Sequence, residues 1–407
     1  MMLIVQKYGG TSVGSLERMR AVAERAVMCK RDGNDVVLIV SAMSGETDRL
    51  INLAKSINET PADRELDMLL STGEMVSASL VAMTIGSLGH RAISLTGSQV
   101  GIMTDSVHTK AKIEKVVADR VEDAVKDGYI AVIAGFQGIT SDTSDVTTLG
   151  RGGSDLTAVA VAAAINADLC EIYTDVDGVY TADPNIVDSA KKLDKISYDE
   201  MLELASLGAK VLQTRSVEYA KKYEVPVVVR SSFNLLPGTL VVKEDLDMEN
   251  VVVSGVAHDK NQVKITIQGV PDKPGIAAKI FITVADKGIV VDMIVQNVST
   301  DGKTTDMSFT VPKSDQRQAI EISKELANTL QAKGVVVNDD IAKVSIVGVG
   351  MRTHCGVAAK MFKALSDNNI NIIMISTSEI KLSCVIDAKY TELAVRELHK
   401  TFELDKR

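Results

Sequence analysis

Short apolar runs alternate with longer helical patterns over about the first 230 residues of the chain. The runs are LIVQKYGG, DVVLIVSAM, RAISLTG, YIAVIAGFQG, DLCEIYTDVDGV and VPVVVRS. They are apolar on both faces and helix-length segments separate them, which predicts a mostly parallel sheet covered by helices. The fold class is therefore an α/β three-layer αβα sandwich with an open sheet, and ligands bind such sheets at the carboxyl ends of the strands.

The hydrophobic pattern changes after FNLLPGTLVVKED, where residues 246–250 form a polar bridge. Two similar segments follow with a period of about 80 residues: KITIQGVPDKPGIAAKIFITVADKG from Lys264 and KVSIVGVGMRTHCGVAAKMFKALSDNN from Lys343, with Gly275 matching Gly356. Each copy predicts a strand, a glycine loop, a helix and a strand, then a hairpin and a second helix. This is the pattern of a small α+β sandwich. A packed pair of such units leaves twin clefts, which favours a sensor over a second active site.

Length and charge limit the function classes. A chain of 407 residues predicts two or three domains, and 45% hydrophobic with 24% charged residues is ordinary for a soluble globular protein. The net charge is −9, from 45 basic against 54 acidic residues. The basic residues are scattered, whereas a nucleic-acid binder carries a basic patch. Neither a signal peptide nor an apolar run of ~20 residues is visible. We therefore expect a cytoplasmic protein that binds neither nucleic acid nor membrane.

Cysteine and histidine spacing gives no indication of a metal site. The four cysteines are far apart without a CxxC pair, and each lies in or beside an apolar segment, so we expect buried free thiols rather than zinc ligands or disulfides: Cys29, Cys170, Cys355 and Cys384. The five histidines also lack metal-ligand spacing. Histidine-based metal catalysis is not expected, and a reducing compartment fits best.

The stretch VQKYGGTSVGS has the outline of a phosphate site. A strand ends at Lys7, Gly9, Gly10 and Ser12 follow, and a helix begins near Leu16. Glycines let backbone N–H groups approach phosphate oxygens, the helix N-terminus adds partial positive charge, and the lysine adds a full one. The order matches neither a Walker A loop nor a GxGxxG fingerprint. A turn followed by a helix cap remains the alternative.

The stretch VTTLGRGGSD places a cation where a helix begins. Ser154 or Gly153 is expected to cap the helix DLTAVAVAAAINAD, with Asp155 in its first turn. Capping does not explain Arg151, because a positive charge at the positive end of a helix is misplaced unless an anion lies beside it. A guanidinium suits a carboxylate or a phosphate. We therefore predict a functional Arg151.

For three further sequence features, two interpretations remain open. YTDVDGVYTADPNIV, from Tyr173 to Val187, is too short for a calcium loop, and either closes over a nucleotide or is a polar loop. Glu74 in MLLSTGEMVSASL is either a charge at a helix start or the partner of a substrate ammonium. Lys210 in ELASLGAKVLQTRS is either solvated or a second phosphate ligand.

Taken together, these motifs resemble the aspartokinase branch of the amino-acid kinase family. The resemblance rests on KYGGTSVGS, SAMSGETD, LSTGE, TGSQVGI, GFQG, TTLGRGGSD, YTDVDGVYTADP and LGAKVLQTRSVEYA in the family's order, and the C-terminal repeat resembles a tandem pair of ACT domains. It covers essentially the whole chain. It implies a kinase domain at 1–245, a linker and lead-in strand at 246–262, and ferredoxin-like ACT domains at 263–340 and 341–407, with strand interleaving left open.

The resemblance implies that ATP, with Mg²⁺ bridging its phosphates, phosphorylates the β-carboxylate of L-aspartate. The product is 4-phospho-L-aspartate, at the first step toward lysine, threonine and methionine. A carboxylate acceptor is already an anionic nucleophile, so catalysis needs positioning and charge neutralisation rather than a general base. Another family kinase acting on acetylglutamate or UMP, or a non-catalytic sensor, remains the alternative.

The family's functional residues are carried over to this sequence by motif. The resemblance gives catalytic roles to Lys7, Glu74, Arg151 and Asp155. It implies an aspartate pocket with Glu74 on the ammonium and Arg151 on a carboxylate, lined also by Ser41, Thr47, Gly152, Gly153 and Ser154. It implies nucleotide contacts from Lys7, Tyr8, Gly9, Gly10, Ser12, Tyr173, Thr174, Asp175, Val179, Tyr180, Thr181, Ala182, Asp183, Pro184 and Lys210. Asn185 stands where many relatives have arginine, so no charge contact is expected there.

The ACT pair implies regulation by lysine, threonine or both. Contacts for an effector are expected from Asp272, Gln296, Asn369 and Asn371, and for the companion site from His354, Val357 and Glu379; turn formation is the alternative for the loop residues. The resemblance also implies a homo-oligomer through the ACT domains. An α2β2 assembly with a short subunit started near Met248 is the other arrangement, and an ordinary linker methionine is its alternative.

Overall fold

The structure is a computed structural model, and it describes residues 1–207, 211–245, 248, 250–298 and 303–406. The chain forms two compact units. The first comprises Met1–Tyr180 and Lys192–Met248, and the second Thr181–Lys191 and Glu249–Arg407. The sequence-based boundary near residue 245 therefore misses an eleven-residue excursion, which crosses into the second unit and returns.

The first unit alternates strands and helices along the chain. Its strands are β1 Leu3–Tyr8, β2 Asp35–Val40, β3 Ala92–Leu95, β4 Ile102–Thr104, β5 Ile113–Val116, β6 Ile130–Ala134, β7 Gln137–Thr140, β8 Val146–Thr148, β9 Leu169–Thr174, β10 Lys195–Ser197, β11 Val227–Ser231 and β12 Thr239–Val242. Its helices are α1 Leu16–Arg31, α2 Glu46–Ile57, α3 Asp63–Ser87, α4 Gly97–Val100, α5 Asp119–Lys126, α6 Gly153–Ala164, α7 Tyr198–Ser206 and α8 Thr214–Tyr223.

Eight of these strands form one sheet in the order β10-β12-β11-β9-β1-β2-β6-β3. All neighbours are parallel except β11 and β12, as the apolar runs predict. The smaller sheet of the unit has the order β5-β4-β7-β8. The predicted α/β architecture is confirmed, and β1 and β2 end side by side at the centre of the large sheet.

Helices cover both faces of the large sheet. On one face α1 and α3 pack their buried residues, such as Met19 and Val81, onto Val36 and Leu38 of β2. On the other face α6 is buried from Gly153 to Ala162, which explains its alanine-rich composition. In the described part of the chain, α3 alone is long and apolar enough to cross a membrane, and 44% of its apolar window is buried. We attribute its composition to core packing.

The second unit contains the sequence repeat. Its strands are β13 Gly255–Pro271, β14 Ile294–Val298, β15 Thr304–Pro312, β16 Gly334–Val347, β17 Met374–Thr377 and β18 Lys381–Asp387, and its helices are α9 Ile276–Ala285, α10 Gln316–Thr329, α11 Val357–Asp367 and α12 Thr391–Thr401. The matched glycines Gly275 and Gly356 are the N-cap residues of α9 and α11, with φ of 91° and 88°. Both copies need glycine there because that backbone region is strained for other residues.

The two copies share their long strands in one sheet of order β14-β15-β13-β16-β18-β17. The first half of β13 pairs with the second half of β16, as in Gly255 with Val347. The second half of β13 pairs with the first half of β16, as in Gln268 with Gly334. The half around the second copy therefore takes its edge strand, which begins at Gly255, from the chain before the first copy, so the strands of the two copies interleave.

The cysteine prediction is correct for two residues and wrong for one. Cys170 and Cys384 are buried, and their burial raises the pKa of each thiol, to about 12 for Cys384. Cys29 is partly buried and Cys355 is exposed. Cys355 lies in the loop before α11, so the apolar residues beside it in sequence do not cover it.

Candidate active site

A cleft of about 390 Å³ lies where the central strands of the first unit end. Its lining comes from five places along the chain: Lys7 near the end of β1 with Gly9 and Gly10 after it; Ser41 to Gly45 after β2 with Thr47 and Asp48 at the start of α2; Glu74 on α3; Phe136 after β6; and Gly150 to Asp155 before and within α6. The structure thus brings together every residue that the sequence assigned to the aspartate pocket. Ser44 N–H donates to Gly10 O over 3.2 Å, which joins the two central loops.

Two helix N-termini open into this cleft without side-chain caps. Helix α2 begins after Gly45 with φ of 81°, and α6 begins after Gly152 with φ of 73°. The first N–H group of each helix is taken up locally, since Glu46 N–H donates to Met43 O over 3.0 Å and Gly153 N–H donates to Gly150 O over 2.9 Å. The rest of each first turn and the helix dipole favour an anion there. The predicted capping by Ser154 or Gly153 is wrong, because the N-cap is Gly152 and both residues already lie in the helix.

Lys7 and Asp155 form an ion pair at the base of the cleft. Their Nζ and Oδ1 atoms are 2.6 Å apart, and both side chains are close to nine-tenths buried. Asp155 lies in the first turn of α6, as predicted. The pair fixes the lysine ammonium beside the glycine loop, which is formed by Gly9 and Gly10, and the lysine remains part of the cleft wall.

Glu74 contributes an unsatisfied carboxylate oxygen. Its Oε1 accepts a hydrogen bond from Ala42 N–H over 3.1 Å, whereas Oε2 is buried without a partner among the residues that the structure describes. Burial raises the pKa of Glu74 to about 7. The interpretation of Glu74 as a helix-start charge is wrong, since α3 begins at Asp63 and Glu74 lies in its middle. A bound cation would satisfy the free oxygen.

Arg151 is exposed at the cleft and directly precedes the N-cap of α6. Among the residues that the structure describes, no carboxylate lies within ion-pair distance of its guanidinium. Within that described part of the chain, the positive charge next to a positive helix end therefore has no paired carboxylate to offset it. This is the arrangement that the sequence predicted for a residue that binds an anionic ligand.

The residues predicted to hold a nucleotide lie in different surroundings. Tyr8 and Tyr173 are buried and stack on one another with ring centres 4.6 Å apart, so they support the loops rather than face the cleft. Ser12 lines a small cavity next to α1 and its buried hydroxyl has no partner. Thr174, Asp175 and Tyr180 retain exposed surface and Val179 is buried. Lys210 lies outside the described residues.

The C-terminal part of the predicted nucleotide loop belongs to the second unit. Thr181, Ala182, Asp183 and Pro184 fall within the excursion. The Thr181 hydroxyl is buried and bonds His399 Nε2 on α12 over 2.9 Å. Thr181 and Ala182 are buried there, and Asp183 accepts the Asn185 N–H in a local turn. In this conformation Thr181 and Ala182 are unavailable to a nucleotide.

Sequence reasoning missed a buried polar network beneath α1. Glu171 on β9 accepts hydrogen bonds from Gln6 on β1, the Tyr173 hydroxyl and Arg230 on β11, over 2.9, 3.0 and 2.7 Å. The burial and the nearby Glu171 charge together raise the pKa of Tyr173 to about 12. No local signal marks Glu171, because its partners Gln6 and Arg230 come from neighbouring strands that are distant in sequence.

The predicted effector residues lie on the surface of the second unit. Asp272, Gln296, His354, Asn369, Asn371 and Glu379 are exposed and Val357 is half-buried. Glu379 forms an ion pair with Arg352 over 3.5 Å, and Asn369 has a left-handed backbone after α11, with φ of 56°. A cavity of about 270 Å³ on this sheet is lined by other residues, among them Lys264, Asn297 and Ser308.

The fold and cleft define a class of protein: an α/β protein whose cleft at the strand ends combines cationic side chains with a buried carboxylate. Comparisons with known proteins name the family. The profile described as Amino acid kinase family matches residues 2–231, and the one described as ACT domain matches 265–325 and 344–402. An aspartate kinase of Stutzerimonas stutzeri is 55% identical, with 100% of this chain and 98% of its own length covered. The aspartokinase of Corynebacterium glutamicum is 54% identical, with 99% and 97% covered.

A solved structure has the same fold over the whole chain. Escherichia coli aspartokinase III in complex with aspartate and ADP superposes with a TM-score of 0.82 at 25% identity, covering 98% of this chain and 99% of that one. The chain therefore belongs to the amino acid kinase family, with C-terminal ACT domains. Within that family it is a member of the aspartokinases, and it is a kinase.

Proposed function

We propose that the protein transfers the γ-phosphoryl group of ATP to the β-carboxylate of L-aspartate, giving 4-phospho-L-aspartate. The observation that carries the proposal is the cleft itself, which places the unpartnered Glu74 oxygen, the unpaired Arg151 and the Lys7 ammonium around one space. An amino acid with two carboxylates supplies an ammonium for Glu74 and a carboxylate for Arg151. Its second carboxylate is then the acceptor.

The proposed chemistry uses positioning and fixed charge. The acceptor carboxylate attacks phosphorus without losing a proton, and the bond from phosphorus to the β,γ-bridging oxygen breaks, so ADP leaves with the electron pair. Lys7 and the N–H groups at the starts of α2 and α6 offset the charge of the transferred group. Asp155 holds Lys7 in place through the 2.6 Å ion pair. We assign the nucleotide to the glycine loop and to the Thr174–Tyr180 segment.

Magnesium enters this proposal only with the nucleotide. The part of the chain that the structure describes contains no group of three or more His, Cys, Asp or Glu side chains suited to hold a metal ion. Asp155, which lines the cleft, is engaged by Lys7. We therefore assign no metal ligand among the described residues, and no step here depends on one.

We further propose that lysine, threonine or both inhibit the kinase through the ACT pair. The ACT profile matches support this, as does the E. coli aspartokinase III complex with lysine and aspartate in a T-state. The exposed effector residues named above are the proposed contacts, within a homo-oligomer. In the alternative assembly, a short subunit started at Met248 would contain all six strands of the second unit. Replacing Met248 with leucine would then remove the smaller band from the purified protein.

An ATP-dependent hydroxamate assay tests the proposed function. Purified protein is incubated with hydroxylamine and aspartate, glutamate or acetylglutamate, with and without lysine and threonine. We expect aspartyl hydroxamate as the main product and less of it with an effector present. Product from acetylglutamate alone would identify a different kinase of the family. Activity indifferent to both amino acids would remove the regulatory proposal and leave the catalytic one.

A further inference from the structure

Arg25 joins three separate parts of the first unit although it lies outside the cleft. It is on α1, and its Nη1 donates to Ser231 O over 3.1 Å while its Nη2 donates to Asn234 O over 2.8 Å. Its Cζ lies 4.7 Å from the centre of the Tyr173 ring. Charge-assisted bonds to two carbonyls hold the segment after β11 against α1, and the cation stabilises the buried ring.

The segment Ser231–Asn234 in turn holds the chain that follows β9. Asn234 Nδ2 donates to Asp177 Oδ1 over 2.7 Å, and Ser232 N–H donates to Thr174 O over 2.8 Å. The Thr174–Tyr180 segment is therefore fixed at two points by residues of the Ser231–Asn234 segment. The far end of the segment has its own anchor, since Val179 N–H donates to Thr239 Oγ1 over 2.9 Å. The bonds from Ser232 and Asn234 therefore fix the Thr174–Asp177 part, where Asp177 retains some exposure.

We propose that Arg25 is a positioning residue for the nucleotide, acting through Asn234 on the Thr174–Tyr180 segment. The inference rests on the proposed function, since it assigns ATP to that segment. A segment that is already ordered loses less conformational entropy when the ligand binds. Loss of Arg25 should therefore weaken the binding of ATP and ADP, and leave the aspartate pocket of Glu74 and Arg151 unchanged.

Steady-state kinetics and direct ADP binding by calorimetry test the proposal. For Arg25→Met in the full chain we expect about a tenfold rise in both the ATP KM and the ADP Kd, equivalent to ~1.4 kcal/mol, with the aspartate KM within about twofold. Arg25→Lys keeps the positive charge and can still donate to one of the two carbonyls. It should therefore bind ADP more tightly than Arg25→Met does, but less tightly than the wild-type protein. Arg20→Met is the matched control, because Arg20 lies on the solvent face of α1 and pairs with the exposed Glu24 on the same helix.

Asn234→Ala separates this positioning role from a general loss of stability. We expect it to raise the ADP Kd as Arg25→Met does, and the double variant to be no weaker than the worse single variant. Equal rises in the KM of both substrates, additive effects, or an unchanged ADP Kd would overturn the inference. If the wild-type protein makes no aspartyl hydroxamate, the proposed function fails instead, and ADP binding still tests the loop.

Discussion

Replacing Glu74 with glutamine should stabilise the protein at alkaline pH and impair aspartate binding. The glutamine Oε1 can still accept the Ala42 N–H that Glu74 Oε1 accepts over 3.1 Å. The change removes the buried charge and leaves the shape almost unaltered. It also replaces the unpartnered Oε2, to which we assign the substrate ammonium, with a donor NH₂ group that repels an ammonium.

The magnitude follows from the raised pKa of Glu74. Burial raises this pKa from 4.5 to about 7. Each unit of pKa difference between the folded and unfolded protein changes the free energy of unfolding by ~1.4 kcal/mol. Between those values the unfolded chain has released the proton and the folded protein still binds it, so the free energy of unfolding falls as pH rises. The loss is complete above about pH 7 and totals roughly 3 kcal/mol. Glu74→Gln does not titrate and should gain that amount relative to wild type between pH 4.5 and pH 8.

Urea unfolding followed by far-ultraviolet circular dichroism measures this difference, since the chain contains no tryptophan. We expect the stability advantage of Glu74→Gln to grow from pH 5 to pH 8, and its aspartate KM at pH 8 to rise at least tenfold, or ~1.4 kcal/mol. Glu65→Gln on the same helix is the control, because Glu65 is 67% exposed. A stability advantage of Glu74→Gln that does not change with pH would refute the raised pKa of Glu74. An unchanged aspartate KM would refute the contact between Glu74 and the substrate ammonium.

Three further predictions concern the same cleft. Arg151→Ala should raise the aspartate KM by about 10 to 100-fold with little change in kcat, as measured by initial rates; a fall in kcat alone would contradict the carboxylate contact. Lys7→Met should lower kcat at least a hundredfold and destabilise the protein by ~1–3 kcal/mol through the unpaired Asp155, so the double variant with Asp155→Asn should regain stability without activity. Gly152→Ala should lower the urea midpoint markedly, because its Cβ would lie 1.9 Å from Gln213 Cγ at a φ of 73°; an unchanged midpoint would show that this turn rearranges freely.

Sequence patterns predicted the architecture and the residues that line the cleft but not the long-range partners. The apolar run of β1 correctly indicates a strand, and the glycines after it line the cleft at the sheet edge. The ion pair of Lys7 with Asp155 joins residues 148 positions apart in the chain, and no local motif encodes it. Glu74 follows a serine and a threonine that imitate a helix start, whereas α3 begins after Ala62, which has no capping side chain.

The loop predicted to hold the nucleotide shows a second limit of sequence reasoning. Tyr180 and Thr181 are adjacent in sequence but belong to different compact units. A linear motif carries no information about which core a side chain enters. Thr181 is buried in the second unit, where its hydroxyl bonds His399, which lies 218 residues further along the chain. Only the three-dimensional packing separates the part of the loop that remains near the sheet edge from the part that is buried elsewhere.

The shared strands make the two repeats of the regulatory unit unequal. Gln268 and Gly334 both lie in the first repeat, which supplies all four strands of its own half. The second half is completed by the strand from Gly255, which pairs with Val347 and precedes the first repeat in the chain. The first repeat is thus inserted into the second, so truncating the chain after the first repeat would leave the strand from Gly255 without its neighbour.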